Sequence, residues 1–351
     1  MLSLKQARIG NRFAQPGAPD DLNNAFTVRG SPKAPRTVIP HSQWEIRRLA
    51  KSSQGDAKTG VSGFNKLVSV NHVPVVISSI SSVVLAVAPI ANQTRVVLIN
   101  SSAISPKICD QATDFLFSFM VSGAQEAQFM AQSYAEQHSE EPIAILYSNN
   151  ASGIDTKNVF VRDLVAHGGK IAAEESYDLN TSDFRTQLAK IKASHARNGY
   201  LIAFSSAEFA RILRQSKELD LKIQWFSYSG IETQETLQLA GPAAEGVLYS
   251  YPETPNPAQL QTFLQRYSSK YNSWPDIYTV TSYDAVELLS KILAHDGTSS
   301  EQVQKGLRDS ATYQGLFGSV RFGSPQRVSR SLIWKTVQNG SFTLLKSGNH
   351  T

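Results

Sequence analysis

The sequence predicts an α/β protein with parallel sheets flanked by helices. From about Phe64 onward, short apolar segments typical of buried strands alternate with amphipathic segments typical of helices. This alternation favours parallel strands joined by helical crossovers, because a parallel sheet needs cover on both faces. The chain has 351 residues, 41% hydrophobic and 18% charged, and is therefore long enough for two domains.

The predicted elements follow one another in a regular order. Strands are predicted in VPVVISS, TRVVLINSS, PIAILYSNN, GYLIAFSS and IQWFSYSG. Helices are predicted in SVVLAVAPIANQ, EAQFMAQSYAEQH, NVFVRDLVAHGG, DFRTQLAKIKA, EFARILRQSKEL, PAQLQTFLQRYSSKY and VTSYDAVELLSKILAHDG. The third of these helices is expected to bury one face, formed by Phe160, Val161, Leu164 and Val165. Asp183 is placed to cap the fourth, and a closing hairpin is predicted around QNGS.

The first 45 residues do not fit this pattern. They carry prolines at positions 16, 19, 32, 35 and 40 and show no helical periodicity. Because proline interrupts both helices and strands, residues 11–44 are predicted to be irregular.

Composition excludes several classes of function. The net charge is +5, but the basic residues are scattered, so nucleic-acid binding is not expected. A single cysteine, Cys109, and dispersed histidines predict neither a disulfide nor a metal site, and no cofactor is expected. The chain has no nucleophile-elbow, P-loop or dinucleotide motif, so we expect a protein that is not an enzyme. No apolar run is long enough to insert into a membrane.

Serine and asparagine recur where the predicted strands end. The strand ends read ISSISS, LINSSAIS, LYSNNASG, AFSS and WFSYSG. Ligands of open α/β sheets bind at the carboxyl ends of strands, so these residues are interpreted as the lining of a polar, uncharged pocket. The alternative is that each one caps the helix that follows it.

From about Glu45 onward, the chain resembles the type I periplasmic substrate-binding proteins of the leucine/isoleucine/valine family. The resemblance rests on the ordered segments QGDAKTGVSGFNKLVSVNHVPVVISSISSVVLAVAPIA, VVLINSSAISPK, TSDFRTQLAKIKA, AAEGVLYSYP, SYDAVELL and GLFGSVRF, followed by VQNGSF. It implies two lobes that close on a ligand in the cleft between them and that are joined by three crossover strands, near residues 119–122, 249–253 and 324–330. Lobe one is expected to hold residues 1–120 and 252–326, and lobe two residues 121–251 and 327–351.

The resemblance also implies a set of ligand-binding residues. Those expected in the binding cleft are Ser81, Ser82, Ser102, Ala103, Ile104, Ser152, Ser205, Tyr228 and Ser229. Three of them depart from the family's pattern. Ile104 stands where the family has threonine, Ser152 stands where it often has tyrosine, and Ser229 aligns with the acidic residue that receives an ammonium group. Either Glu232 or Glu208 replaces that acid, or the ligand is not a zwitterion. A neutral amide or a small carboxylate would suit a serine-lined cleft better.

The function that the resemblance implies is that of the solute-binding component of an ABC-type transporter. Such a protein would bind an amino acid or a related amide or carboxylate, act as a monomer, and deliver its ligand to a membrane permease. Its location would be periplasmic or at the cell surface, although MLSLKQARIG lacks the apolar core of a signal peptide and predicts a cytoplasmic protein as written. The alternatives are a cytoplasmic amide or amino-acid sensor of the same fold, or an inactive relic with a damaged N-terminus. The last alternative rests on the absence, after ARIG, of the GPLTG loop and the first long helix that the family has.

Overall fold

The computed structural model describes residues 24–29, 45–50, 53, 55–111, 113–138, 140–323 and 327–345. The chain divides into two compact units. Unit 1 comprises Met1–Ala103, Lys107–Met120 and Tyr278–Ser329, and unit 2 comprises Ile104–Pro106, Val121–Ile277 and Arg330–Thr351. The lobe boundaries expected from the resemblance stay a prediction; in this division residues 252–277 go with unit 2.

The strands and longer helices have the following bounds in chain order. The strands are β1 Asn24–Arg29, β2 Glu45–Ala50, β3 Val75–Ser78, β4 Val97–Asn100, β5 Leu116–Ser118, β6 Ile143–Ser148, β7 Ile171–Tyr177, β8 Asn198–Ile202, β9 Gln224–Ser227, β10 Leu248–Pro252, β11 Gln314–Gly315, β12 Gly318–Ser319, β13 Leu332–Gln338 and β14 Ser341–Leu344. The helices are α1 Ala57–Asn65, α2 Ser81–Thr94, α3 Pro106–Asp110, α4 Gly123–His138, α5 Ala151–Ala166, α6 Arg185–Ala193, α7 Ser206–Glu218, α8 Gln234–Ala240, α9 Pro257–Tyr271, α10 Ile277–His295 and α11 Ser300–Arg308.

Unit 1 is built on a three-stranded parallel sheet in the order β3-β4-β5. Successive side chains of a strand point to opposite faces, and each face here has its own core. Val75 and Ile77 pack with residues of α10 and α11, whereas Val76 packs with residues of α1 and α2. Because helices cover both faces, the strands contain almost only apolar residues, as a parallel sheet requires.

Unit 2 contains a seven-stranded sheet in the order β14-β13-β10-β9-β8-β6-β7. Strands β10, β9, β8, β6 and β7 run parallel, and β13 and β14 are added antiparallel at one edge. The prediction of parallel sheets flanked by helices is therefore confirmed. The predicted hairpin around QNGS is also present, since Asn339 and Gly340 both adopt positive φ in the turn between β13 and β14.

Three local predictions differ from the structure. Asn24–Arg29, predicted to be irregular, forms a strand paired with Glu45–Ala50; the rest of residues 11–44 lies outside the described residues. Val165 is 58% exposed and is not part of the buried face of α5, which is too narrow to include it. The N-cap of α6 is Phe184 rather than Asp183. The Asp183 side chain still accepts the Arg185 N–H at 3.1 Å, and the Gln215 side chain accepts the Phe184 N–H at 2.6 Å.

Candidate functional site

The polar residues at the strand ends come together within each sheet. In unit 1, Ser78, Asn100 and Ser118 end three neighbouring parallel strands in register. In unit 2, Ser148 and Ser227 end β6 and β9, which flank β8. Parallel strands end at the same edge of their sheet, so each unit has one edge rich in hydroxyl and amide groups.

Asn100 organises this edge in unit 1. Its side chain is 1% exposed; Nδ2 donates to the Ala103 carbonyl at 2.9 Å and to Ser118 Oγ at 3.2 Å. Its Oδ1 accepts the Ala103 N–H at 2.8 Å. The amide therefore holds both backbone groups of Ala103 and fixes the turn through Ser101 and Ser102.

Ser81 and Ser82 begin α2 but do not cap it. The N-cap is Ile80, which is extended and has no side chain that could bond to the first turn. The Ser82 hydroxyl donates instead to the Gly55 carbonyl at 2.8 Å, and Ser82 is exposed while Ser81 is partly buried. The N-cap residue of α2 therefore supplies no side-chain hydrogen bond to the first turn. A helix N-terminus carries partial positive charge.

The next three predicted residues lie in the chain after β4. Ser102 is partly buried and its hydroxyl donates to the Ser79 carbonyl at 3.3 Å. Ala103 is buried against Asn100, as described above. Ile104, assigned to unit 2, is 4% exposed, and its carbonyl accepts the Gly123 N–H at 2.7 Å. Gly123 allows this approach, since a Cβ there would lie 3.0 Å from that carbonyl oxygen.

Ser152 and Ser205 lie at the starts of two unit 2 helices. Ser152 is the second residue of α5, whose N-cap, Asn150, accepts the Gly153 N–H at 2.9 Å. Ser205 is the N-cap of α7 and forms a capping box with Glu208. The helix-cap interpretation therefore holds for Ser205, and the Glu208 carboxylate is engaged in the same motif.

Tyr228 and Ser229 follow β9 and are almost completely buried, at 2% and 0% exposure. The Tyr228 hydroxyl donates to the Ala203 carbonyl at 2.5 Å, and its ring packs beside Phe209. Ser229 donates both its hydroxyl and its backbone N–H to the carboxylate of Glu126.

Glu126, in the first turn of α4, is a fully buried carboxylate that sequence reasoning missed. Oε1 accepts the Ser229 hydroxyl at 2.7 Å; Oε2 accepts the Ser229 N–H at 2.9 Å and the Ser250 hydroxyl at 2.6 Å. Burial raises the pKa of Glu126 to about 7, and the hydrogen bonds from Ser250 and Ser229 partly oppose this rise. The only local signal was a glutamate on the apolar face of a predicted helix.

A second carboxylate in unit 2 is paired with a cation. Glu232 Oε2 lies 2.5 Å from Lys335 Nζ and accepts the Tyr249 hydroxyl at 2.5 Å. Lys335 also lies over the ring of Tyr251, 4.3 Å from its centroid. Burial and the charge of Glu232 raise the pKa of Tyr249 well above its usual range. Glu232 and Glu208, the two suggested replacements for the acid at position 229, are thus both engaged with groups of the protein.

The described part of the chain offers no metal site and no membrane span. No three histidine, cysteine, aspartate or glutamate residues within it are grouped closely enough to hold an ion. No helix among the described residues has the length and apolar character needed to cross a bilayer.

Two α/β units with polar strand ends are typical of proteins that bind small solutes. A family model described as periplasmic binding protein matches residues 45–338. The chain belongs to this family, and the predicted resemblance to leucine/isoleucine/valine-binding proteins is confirmed.

Similar proteins support the same assignment. Leu/Ile/Val-binding protein homolog 1 of Brucella suis is 24% identical over 299 residues, which cover 83% of this chain and 80% of the relative. The leucine-binding protein LivK of Thermotoga maritima has a TM-score of 0.75 at 19% identity, covering 84% of this chain and 85% of LivK. A solute-binding protein of an ABC transporter from Rhodopseudomonas palustris, in complex with 3,4-dihydroxybenzoic acid, has a TM-score of 0.76 at 19% identity, with 84% of each chain covered.

Proposed function

We propose that this protein is the non-enzymatic solute-binding component of an ABC-type transporter, and that its ligand is a small carboxylate or amide. The observation that carries the proposal is the presence, in each unit, of one sheet edge where hydroxyl and amide groups end parallel strands. Membership of the periplasmic binding protein family supports it. A permease partner, a periplasmic or cell-surface location and a monomeric state belong to the same proposal.

The first turn of α2 is the proposed anchor for an anionic or carbonyl oxygen of the ligand. It has no side-chain cap, and the exposed Ser82 hydroxyl is beside it. Backbone N–H groups at a helix start favour negative charge, so a carboxylate or an amide oxygen matches this end. Ser81, Ser102 and Ala103 are proposed to complete this part of the site.

On the unit 2 side we propose Ile104, Ser152, Ser205, Tyr228 and Ser229 as ligand contacts. A zwitterionic amino acid would also need a carboxylate for its ammonium group, because an unpaired buried ammonium is strongly unfavourable. Glu232 is already paired with Lys335, and Glu208 is held in the capping box of α7. Glu126 is 0% exposed, and its two oxygens accept hydrogen bonds from Ser229 and Ser250. The engagement of all three carboxylates supports a carboxylate or amide ligand over an α-amino acid.

Titration calorimetry with leucine, benzoate and benzamide tests the ligand class. We expect benzoate or benzamide to bind more tightly than leucine. The Ser82 hydroxyl donates its one proton to the Gly55 carbonyl, so on binding it must exchange that neutral acceptor for the benzoate carboxylate. Ser82→Ala is therefore expected to lower the affinity for benzoate by roughly three- to tenfold. The matched control is Ser269→Ala, on the exposed side of α9, which should leave the affinity unchanged. A clear preference for leucine would contradict the proposed ligand class.

A further inference from the structure

Glu126 is a buried carboxylate held only by neutral donors. Its three hydrogen-bond partners are the N–H and hydroxyl of Ser229 and the hydroxyl of Ser250. Within the described residues, no lysine, arginine or histidine forms an ion pair with it. When Glu126 is ionised, two hydroxyl groups and one backbone N–H are therefore the groups that stabilise its negative charge in the absence of water.

The groups around Glu126 come from several elements. Tyr200 of β8 and Tyr251 of β10 are buried, and the Glu126 charge contributes to the raised pKa of each. In the loop after β9, the charged group is Glu232, which is paired with Lys335 of β13 and bonded to Tyr249 of β10. Since no described cation forms an ion pair with Glu126, protonation is how the described part of the chain can neutralise its charge. Its pKa of about 7 allows proton uptake near neutral pH.

We propose that Glu126 is a positioning residue whose protonation reverses the hydrogen bond to Ser229. While Glu126 is ionised, the Ser229 hydroxyl can only accept a hydrogen bond from a further group; once Glu126 is protonated, the hydroxyl can donate one to that group. When Glu126 is ionised, the Ser229 hydroxyl proton is committed to Oε1, and the Ser229 oxygen has only lone pairs to offer. When a proton from solvent adds to Oε1, that carboxyl O–H donates to the Ser229 oxygen. The Ser229 hydroxyl proton then turns away and is free to donate.

The other two hydrogen bonds are compatible with both states. Oε2 accepts the Ser229 N–H and the Ser250 hydroxyl, and it keeps this role when the proton is on Oε1. The reversal therefore takes up one proton, breaks no covalent bond and leaves the loop after β9 attached to α4 and β10.

The consequence for a ligand rests on the proposed function, in that Ser229 must face the ligand. A carboxylate opposite Ser229 needs a donor and is favoured by the protonated form of Glu126. An amide N–H needs an acceptor and is favoured by the ionised form. Benzoate and benzamide differ in this group alone, and one hydrogen bond changes their affinity ratio by roughly three- to tenfold.

The first test needs no ligand. In an NMR titration from pH 5 to 9, the Glu126 carboxyl carbon and the Ser229 amide are expected to titrate together with a midpoint near 7. In Glu126→Gln the Ser229 titration is expected to vanish, since the glutamine N–H donates permanently to the Ser229 oxygen. The control is Glu218→Gln, in which a half-exposed carboxylate is removed and the titration should persist. A Ser229 amide that does not titrate, or that titrates unchanged in Glu126→Gln, would overturn the proposal.

The second test measures the affinities of benzoate and benzamide by calorimetry between pH 5.5 and 8.5. The ratio of benzoate to benzamide affinity is expected to rise three- to tenfold as the pH falls, and to be constant in Glu126→Gln. A constant ratio in the unmodified protein would overturn the role of Ser229 toward the ligand. If neither probe binds, the proposed ligand class is contradicted, while the NMR titration still decides the hydrogen-bond reversal.

Discussion

The carboxyl edges of the two sheets are stabilised by different chemistry. In unit 1 the central anchor is the neutral amide of Asn100, which bonds to the backbone of Ala103 and to Ser118. In unit 2 the anchors are two carboxylates, Glu126 and Glu232. A neutral amide holds its partners at any pH, whereas a buried carboxylate responds to protonation. We expect the unit 2 edge to depend on pH and the unit 1 edge not to.

The helices that follow the strands differ as well. In unit 2, α5 and α7 begin with the side-chain caps Asn150 and Ser205. In unit 1, α2 begins at Ser81 after an isoleucine and has no side-chain cap. Serines that look equivalent in the sequence therefore differ in role: Ser205 is the N-cap of α7, whereas Ser81 follows the N-cap of α2 and is the first residue of that helix.

The largest expected effect is that of Asn100→Ala. This change leaves the buried N–H and carbonyl of Ala103 without partners, and each such group destabilises by about 1–3 kcal/mol. We expect the free energy of unfolding of unit 1 to fall by about 4 kcal/mol at every pH. Hydrogen exchange of peptides from β3, β4 and β5 measures it. The exposed Asn92→Ala in α2 is the control; an equal loss there would refute the role given to Asn100.

Glu126→Gln tests whether the stability of unit 2 depends on pH, in contrast to that of unit 1. The unfolded carboxyl releases its proton near its ordinary pKa of 4.5, whereas the folded one keeps it up to about 7. Between these values the folded state binds more protons, so the free energy of unfolding falls as pH rises. The decrease is up to about 3 kcal/mol, at about 1.4 kcal/mol per pKa unit.

Denaturation of both proteins from pH 4 to 9 measures this effect. The described tryptophans, Trp225, Trp274 and Trp334, all belong to unit 2, so their fluorescence reports on the right unit. Glu126→Gln should match the unmodified protein below pH 4.5 and be more stable above pH 7. Parallel pH profiles for the two proteins would contradict the raised pKa.

Lys335→Met is expected to have an intermediate effect. The Lys335 and Glu232 side chains are only 16% and 17% exposed. Removing the cation leaves a largely buried carboxylate whose one side-chain hydrogen bond from the described residues is that of Tyr249. We expect a loss of about 2 kcal/mol, below the range for fully buried pairs. The double variant Lys335→Met with Glu232→Gln should recover most of it. Arg185→Met breaks two exposed ion pairs, with Asp183 and with Glu218, and a comparable loss there would show that burial does not matter.

The smallest expected effects are those of Ser205→Ala and Ser82→Ala, which compare the capped start of α7 with the start of α2. Ser205→Ala removes the N-cap of α7 and should reduce stability by about 1 kcal/mol. Ser82→Ala removes an exposed hydrogen bond to Gly55 and should reduce it by about 0.5 kcal/mol or less. Thermal melting of the two variants gives the comparison, and equal losses would mean that Ser82 also supports its helix.

The sequence predicted which helices have a buried apolar face, but it did not predict how wide that face is or which residue is the N-cap. The apolar spacing of Phe160 and Leu164 predicted a buried face of α5, and both residues are 0% exposed. Val165 has the same type of spacing on α5 yet is exposed, because the width of a buried face depends on the neighbouring elements. Asp183 accepts the Arg185 N–H, yet the N-cap of α6 is Phe184, whose own N–H is accepted by Gln215 of α7.

The sequence by itself determined the alternation of strands and helices, the family, and the accumulation of hydroxyls at strand ends, because these follow from local periodicity and residue type. Only the tertiary structure decided which hydroxyls are caps, which helix start is open, and which carboxylate reaches Ser229. Glu126 and Ser229 are 103 residues apart in the chain. A contact between such distant residues leaves no periodic signal, since it arises only when packing buries a charge beside the groups that can hold it.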